Sequence, residues 1–93
     1  MQTDQRPKKI IDIWVTSPKG GIDVFSANGI QRMNGVAALI WQDIDGVRTI
    51  NEIIERVIVR YPTVDRSLIA VDIGNILKTL DALELIVLNW KPL

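Results

Sequence analysis

The segment "IWQDIDGVRTINEII", residues 40–54, contains two stretches of apolar residues at helical spacing, and the pair Asp45–Gly46 separates them. The stretch before the pair predicts a first helix over about residues 34–44, with Asn34 as its N-cap. The spacing resumes after the pair, where a second helix is expected. We therefore interpret Asp45–Gly46 as a corner between two helices rather than as a site of chemistry.

The second helix has clear signals at both ends. Thr49 is followed three residues later by Glu52, which is the capping-box pattern of a helix N-terminus. Apolar residues then repeat at helical spacing to about Arg60, and Pro62 ends the helix because proline cannot continue one.

A third and longer helix is predicted over about residues 65–84, with either Thr63 or Asp65 as its cap. One row of apolar residues on this helix is expected to face the core. The members of this row are Ile69, Ile73, Ile76, Leu80 and Leu83, with Leu68 and Leu77 at its margins.

The residues before the helices alternate in the manner of strands. Residues 9–16 and 22–27 predict two strands joined by the turn-rich segment 17–21. The pair Asn28–Gly29 favours a tight hairpin turn into a short third strand, residues 30–33. A three-stranded antiparallel meander follows, and one of its end strands must be an edge.

The two ends of the chain are less regular. Residues 1–8 are polar and are predicted to be a flexible end, while residues 85–90 favour either a terminal strand or an extended tail over the core. We predict one domain over residues 1–93. Its fold class is α+β and winged-helix-like, with a three-stranded antiparallel sheet followed by a three-helix bundle.

Composition limits the possible functions. The 93 residues include 11 basic and 11 acidic side chains, so no global field favours nucleic acid or an anionic membrane. Cysteine and histidine are both absent, which removes the commonest general base, thiol nucleophile and metal ligands. No apolar run is long enough for a signal peptide or a membrane span. We therefore predict a cytoplasmic protein that is not an enzyme, with no metal site and no cofactor.

The ordered set of motifs in "MNGVAALIWQDIDGVRTINEIIERV" and "VDIGNILKTLDALELI" resembles the PqqD family. The matching pairs include Ile40–Trp41, Asp45–Gly46 and Arg48–Thr49, and the similarity covers about residues 30–88. The sequence departs from the family at Glu84–Leu85, where a Gly-Leu pair is common. A second departure is Met33, which replaces the more usual Leu.

This resemblance implies a peptide-binding domain that recognises ribosomally made precursor peptides. Members of the family hold the leader segment of a precursor and present it to a modifying enzyme, often a radical-SAM protein. In the type member the precursor becomes pyrroloquinoline quinone, which is the product of the pathway and not a cofactor of this chain. The expected partners are a precursor leader and a maturase, and a homodimer through an unpaired strand edge is also open.

The resemblance places the leader between the third strand and the third helix. Gly74 lies inside that helix, at a cost of about 1 kcal/mol relative to Ala, which requires either close approach of a peptide or close packing on another element. Arg32 and Lys78 either meet acidic leader residues or are solvated surface charges. The predicted peptide-binding residues are Gly29, Ile30, Gln31, Arg32, Met33, Asn34, Ala70, Gly74, Leu77, Lys78 and Asp81.

Three helices with a β-wing are also a DNA-binding design, so a DNA-binding regulator is the alternative function. The third predicted helix and its immediate ends carry four acidic and two basic side chains. A recognition helix is expected to be basic or neutral, which disfavours this alternative.

Overall fold

The structure is a computed structural model that describes residues 2–10, 14–16, 21–27 and 29–91. The elements are the strands β1 (Lys8–Lys9), β2 (Trp14–Thr16), β3 (Ile22–Ser26), β4 (Gly29–Met33) and β5 (Ile86–Val87), and the helices α1 (Gly35–Asp43), α2 (Ile50–Arg60) and α3 (Arg66–Ala82). Helix α3 is two residues shorter at its C-terminal end than predicted, and the corner at residues 44–49 separates α1 from α2 as expected.

The strands form two antiparallel sheets. The larger sheet has the order β2-β3-β4, and the smaller one pairs β1 with β5. In the larger sheet Ile22 pairs with Met33 and Ser26 with Gly29. Mixed α and β structure with three helices and antiparallel sheets agrees with the predicted class. The second sheet corrects the prediction that the strands form a single sheet.

The predicted first strand, residues 9–16, is divided between these two sheets. Lys9 pairs with Ile86 in the smaller sheet, whereas β2 pairs with β3, and the intervening residues 11–13 lie outside the described part of the chain. Alternation shows which side chains share a face but not which strand lies alongside. The same pairing decides between the two alternatives for residues 85–90, because β5 forms there.

The predicted hairpin turn at Asn28–Gly29 is only partly described. Gly29 already belongs to β4 and has a φ of 109°, a conformation that favours glycine. Asn28 and residues 17–20 of the other predicted turn lie outside the described residues.

The core lies between the larger sheet and the three helices, and the C-terminal segment closes one side of it. Its residues are predominantly β-branched or Leu, as expected for a sheet packed on helices. The buried apolar residues are Ile22, Val24, Met33, Ile40, Trp41, Ile44, Ile50, Ile53, Ile54, Val57, Ile69, Ile73, Leu77, Leu80, Leu85 and Ile86.

The chain leaves β4 and enters α1 through a tight junction. Asn34 has the extended backbone of an N-cap residue, but its side chain makes no capping hydrogen bond, and Gly35 follows with a φ of 55°. A Cβ on Gly21 would collide with Oδ1 of Asn34 and would lie 2.8 Å from the carbonyl oxygen of Met33. Only glycine therefore allows the start of β3 to approach this junction.

The N-terminus of α2 has a complete set of hydrogen-bond partners. Thr49 and Glu52 form the predicted capping box, with the amide of Glu52 donating to Oγ1 of Thr49 at 3.1 Å. Two further amides, those of Ile50 and Asn51, would have no partner inside the helix. They donate instead to the carbonyls of Gln5 and Thr3, both at 2.8 Å.

The flexible end predicted at residues 1–8 stays a prediction, but the described part of that segment makes two further main-chain contacts. The amide of Gly46 donates to the carbonyl of Pro7 at 2.8 Å, and the amide of Trp90 donates to the carbonyl of Arg6 at 2.9 Å. Polar composition predicted disorder, but main-chain carbonyls bind helix amides irrespective of the side chains.

Asp45 organises the corner between α1 and α2. Its Oδ1 accepts hydrogen bonds from the amides of Val47 (2.9 Å) and Arg48 (2.8 Å), and its Oδ2 pairs with the Arg48 guanidinium at 2.9 Å. Gly46 has a φ of 79°. A Cβ there would lie 3.0 Å from Lys8 and 3.2 Å from Trp90. The pair is a structural corner, as its sequence indicated.

Helix α3 ends in a Schellman motif. The amide of Leu85 donates to the carbonyl of Leu80, and the amide of Glu84 donates to the carbonyl of Asp81, both at 3.0 Å. This motif requires a left-handed residue, and Glu84 occupies it with a φ of 60°. A glycine would fit the same geometry without strain, so the departure noted from the sequence places a side chain where the backbone favours glycine.

Replacing Glu84 with Gly is expected to raise the free energy of unfolding by about 0.5–1 kcal/mol, because glycine has no Cβ penalty at this φ. Thermal unfolding should shift upward by about 2–8 °C. Glu84→Ala is the control and should give no comparable gain. An equal gain in the Ala variant would identify the charge, and not the backbone, as the source of the strain.

Deleting residues 1–5 is expected to lower the free energy of unfolding by about 1–3 kcal/mol, because the amides of Ile50 and Asn51 lose their acceptors. Urea titration measures the change. The matched control is the double substitution Thr3→Ala and Gln5→Ala, which leaves both carbonyls in place and should cost little. A truncated chain as stable as the full one would contradict this capping role.

Acid should destabilise the chain through Asp45 and Glu52. Partial desolvation opposes the effect at Asp45, but the amides of Arg48 and Val47 hold the pKa of its carboxyl below the ordinary value. The Thr49 amide and hydroxyl likewise lower the pKa of Glu52. The stabilisation is therefore complete above the unfolded-state values of about 3.9–4.3 and is lost as the pH falls through the lower folded-state values.

The free energy of unfolding, measured between pH 7 and pH 2, should therefore decline below about pH 4. Asp45→Asn is the test variant, because its amide oxygen still accepts from the amides of Val47 and Arg48 while the charge is gone. The decline should be shallower in this variant. An unchanged acid profile would mean that the Asp45 carboxylate contributes nothing to it.

Candidate functional site

Strand β4 is the end strand of the larger sheet. It pairs with β3 along one side, and within the described residues no strand pairs with its other side. The main-chain groups of alternate residues in an antiparallel strand point toward that open side. The predicted third strand, residues 30–33, is therefore an end strand of the sheet, and it begins one residue earlier, at Gly29.

The side chains of β4 divide between its two faces. Gln31 is half-buried and Met33 is buried, so these two point toward the helices. Ile30 and Arg32 point outward, and Ile30 is 67% exposed. The Arg32 guanidinium lies 3.3 Å from Oδ1 of Asp23, its cross-strand neighbour. Arg32 is thus an outer-face residue that already has a counter-ion.

A groove of about 220 Å³ runs between β4 and α3, with one residue of α1 at its end. Five of its nine lining residues are apolar, so the groove can take apolar side chains from a strand added to β4. The lining residues are Gln31, Arg32, Met33, Ala37, Asn75, Ile76, Thr79, Leu80 and Leu83. A small depression continues it toward Gly29 and Leu85.

The structure does not bring the residues predicted on α3 to this groove. Ala70, Gly74 and Lys78 line a different pocket, together with Ile50 and Ile54 of α2 and with Thr3. Leu77 is fully buried in the core. Asp81 is exposed and follows Ala70, Gly74 and Lys78 along the same flank of the helix.

The orientation of α3 explains why these residues do not line the groove beside β4. Its buried row separates two flanks, and the one bearing Ile76, Thr79 and Leu83 faces β4. Sequence spacing shows which residues share a flank of the helix but not which neighbour covers that flank. Of the residues that were missed, Ile76, Leu80 and Leu83 had been assigned wholly to the core. Asn75 and Thr79 carried no signal of their own.

Of the two reasons that the sequence indicated for Gly74, close packing on another element does not occur in the described structure, and close approach of a bound peptide stays a prediction. A Cβ added there would have no atom within 4 Å. Neither another helix nor the β4 groove approaches this glycine, so the described structure gives no account of its presence in α3.

Two of the tryptophans, Trp41 and Trp90, lie beside lysines at the core or its rim. Trp41 is buried, and Nζ of Lys9 lies 5.0 Å from the centre of its ring. Burial lowers the pKa of Lys9, and the charges of Asp45 and Asp43 partly offset this. Lys8 Nζ lies 3.9 Å from the centre of the Trp90 ring. The side chain of Trp14 lies outside the described part of the structure.

The described residues hold neither a cluster of metal ligands nor a membrane-spanning helix. No group of three or more Asp and Glu side chains is placed to hold a metal ion. No described helix is both long enough and apolar enough to cross a membrane.

Two comparisons relate the chain to known proteins. The family described as coenzyme PQQ synthesis protein D (PqqD) matches residues 18–86, which is most of the chain. The solved structure of TbiB1 in complex with the TbiA(β) leader peptide is similar, with a TM-score of 0.79 and 19% sequence identity. This similarity covers 90% of the present chain and 99% of that chain.

A third comparison, with curated proteins, found no significant match. The structural likeness to TbiB1 supports the fold, and the sequence match to residues 18–86 confirms the resemblance first seen in the motifs around the corner at Asp45–Gly46. The chain belongs to the PqqD family.

Proposed function

We propose that this chain binds the leader segment of a ribosomally synthesised precursor peptide by strand addition at β4. It then presents the precursor to a modifying enzyme in the cytoplasm, of radical-SAM or another type. The open edge of β4 beside an apolar groove on α3 carries this proposal. Membership of the PqqD family and the leader peptide bound to TbiB1 support it.

Strand addition gives affinity through the main chain and selectivity through side chains. About four or five new hydrogen bonds contribute roughly 1 kcal/mol each, and two or three apolar leader side chains contribute about 1.5–3 kcal/mol each. Association costs about 4–15 kcal/mol. The main-chain contribution is similar for any extended peptide, so the side chains that enter the groove decide which leader is bound.

Peptide contact at Gly29–Asn34 remains the core of this proposal, and the groove residues Ile76, Leu80 and Leu83 are added to it. Ala70, Gly74, Lys78 and Asp81, which were predicted for the same role, lie on the other flank of α3. The present proposal therefore does not include these four residues in the leader contact.

Catalysis belongs to the partner enzyme in this proposal. The sequence has no His and no Cys, and the β4 groove has no acid-base pair among its lining residues. A second copy of the chain is another possible occupant of the β4 edge. A homodimer formed there would compete with leader binding.

Within the described residues, no observation favours the DNA-binding alternative. Helix α3 carries Arg66 and Lys78 against Asp72 and Asp81, so its net charge is zero. Arg66 is also paired with Glu55 of α2 at 2.5 Å. A helix that reads DNA needs free basic groups for the phosphates.

The main-chain character of binding can be tested with peptides selected from a random 12-residue display library on the immobilised chain. N-methylation at successive peptide positions should weaken binding more than tenfold at alternate residues, where the amide faces β4, and little at the residues between. Amide chemical shifts of the labelled protein should change in β4 and on the Ile76–Leu83 flank of α3.

The N-methyl residues that face away from β4 serve as the internal control for peptide conformation. Loss of binding at every position, or at none, would contradict strand addition. Shift changes confined to Ala70, Gly74 and Lys78 would place the peptide in the other pocket.

A further inference from the structure

The groove between β4 and α3 has four polar side chains among its lining residues, and two of them are already engaged. The Thr79 hydroxyl donates to the carbonyl of Asn75 at 3.0 Å. The Arg32 guanidinium pairs with Asp23 on the outer face of the sheet. The other two polar side chains are the carboxamides of Gln31 and Asn75.

Neither carboxamide makes a side-chain hydrogen bond within the described part of the chain. Gln31 is half-buried on the helix-facing side of β4, where the groove continues toward Gly29. Asn75 lies at the opposite rim, where the groove adjoins the pocket between α2 and α3. The apolar centre of the groove therefore has a free hydrogen-bonding group on each side.

A strand bound over these groups would remove them from water. A carboxamide that is covered by a peptide without forming a new hydrogen bond loses its hydrogen bonds to solvent. This loss weakens the binding free energy of that peptide. A leader side chain that can donate or accept restores the lost bonds. A site with such groups discriminates strongly against a ligand that lacks the complementary hydrogen-bonding group. An apolar site discriminates less strongly against a ligand of the wrong size.

The matching side chain should be uncharged. Arg32 is the one charged residue among those that line the groove, and Asp23 already neutralises it. An ionised leader side chain placed beside Gln31 would lose hydration without gaining a counter-charge. This argues against contact with acidic leader residues, which was one of the two alternatives for Arg32.

We propose that the β4 groove selects leaders in which neutral hydrogen-bonding side chains, such as Asn, Gln, Ser or Thr, flank an apolar anchor and meet Gln31 and Asn75. This inference rests on the proposed function. Groove-facing residues of a strand recur every second position. The residue that meets Gln31 is therefore expected two positions from the anchor that packs beside Met33.

Display selection with the random 12-residue library tests this specificity on the unaltered chain and four variants. Gln31→Leu and Asn75→Leu each replace one of the two carboxamides of the groove with an apolar side chain. Gln42→Leu and Asn51→Leu are matched controls, since both side chains are exposed and lie outside the groove. Thermal unfolding checks that each variant is folded.

Peptides selected on the unaltered chain should carry a neutral polar residue two positions from an apolar one. That residue should become apolar in peptides selected on Gln31→Leu, and both control variants should keep the original pattern. Replacing the polar residue of a selected peptide with Leu should weaken binding to the unaltered chain by about tenfold. The same replacement should not weaken binding to Gln31→Leu.

If the Leu replacement in the peptide weakens binding to the unaltered chain by less than twofold, the inference is overturned. This measurement does not depend on the folding of any variant. Selected peptides with only apolar groove-facing residues would overturn it as well. If N-methylation still shows its alternate pattern in those peptides, the proposed function stands and the specificity alone is wrong. If no peptide is enriched, both proposals fail together.

Discussion

The buried row of α3 is the constraint on which the rest of the structure depends. Ile69, Ile73, Leu77 and Leu80 are all nearly inaccessible to solvent and pack into the core that the sheet and the other helices share. Because this row lies along the middle of the helix surface that faces inward, α3 has two flanks at the margins of the core. One flank faces β4 and the other faces α2, so the molecule has two grooves with different chemistry.

The open edge of β4 depends on how the chain leaves the sheet. The left-handed glycine at Gly35 and the close approach of Gly21 to Asn34 turn the chain sharply from β4 into α1. The meander stops there, and within the described residues no further strand covers β4. The terminal segments, which could have covered it, pair with each other as β1 and β5 and with the corner at Gly46. Their main-chain groups are used in capping α2 and closing the core.

Local signals predicted the helices well and the pairing of strands less well. Thr49 and Glu52 formed the expected capping box because both partners lie within one turn of the same helix. The pairing of Lys9 with Ile86 joins residues far apart in the chain, and no local pattern contains that information. The same limit explains why the main-chain contacts of residues 1–8 were not predicted. Their polar side chains indicated a flexible end, but their carbonyls supply the acceptors that Ile50 and Asn51 require.

The sequence by itself determined the family, the helix boundaries to within about two residues, the corner at Asp45–Gly46 and the presence of an edge strand near residues 30–33. Each of these depends on residues close together in the chain or on the order of motifs. The tertiary structure alone decided which flank of α3 lies beside β4, and thus that Ile76 and Leu83, rather than Ala70 and Gly74, line the groove. The physical reason is that helical periodicity fixes the angle between two flanks but not the neighbour that each one meets.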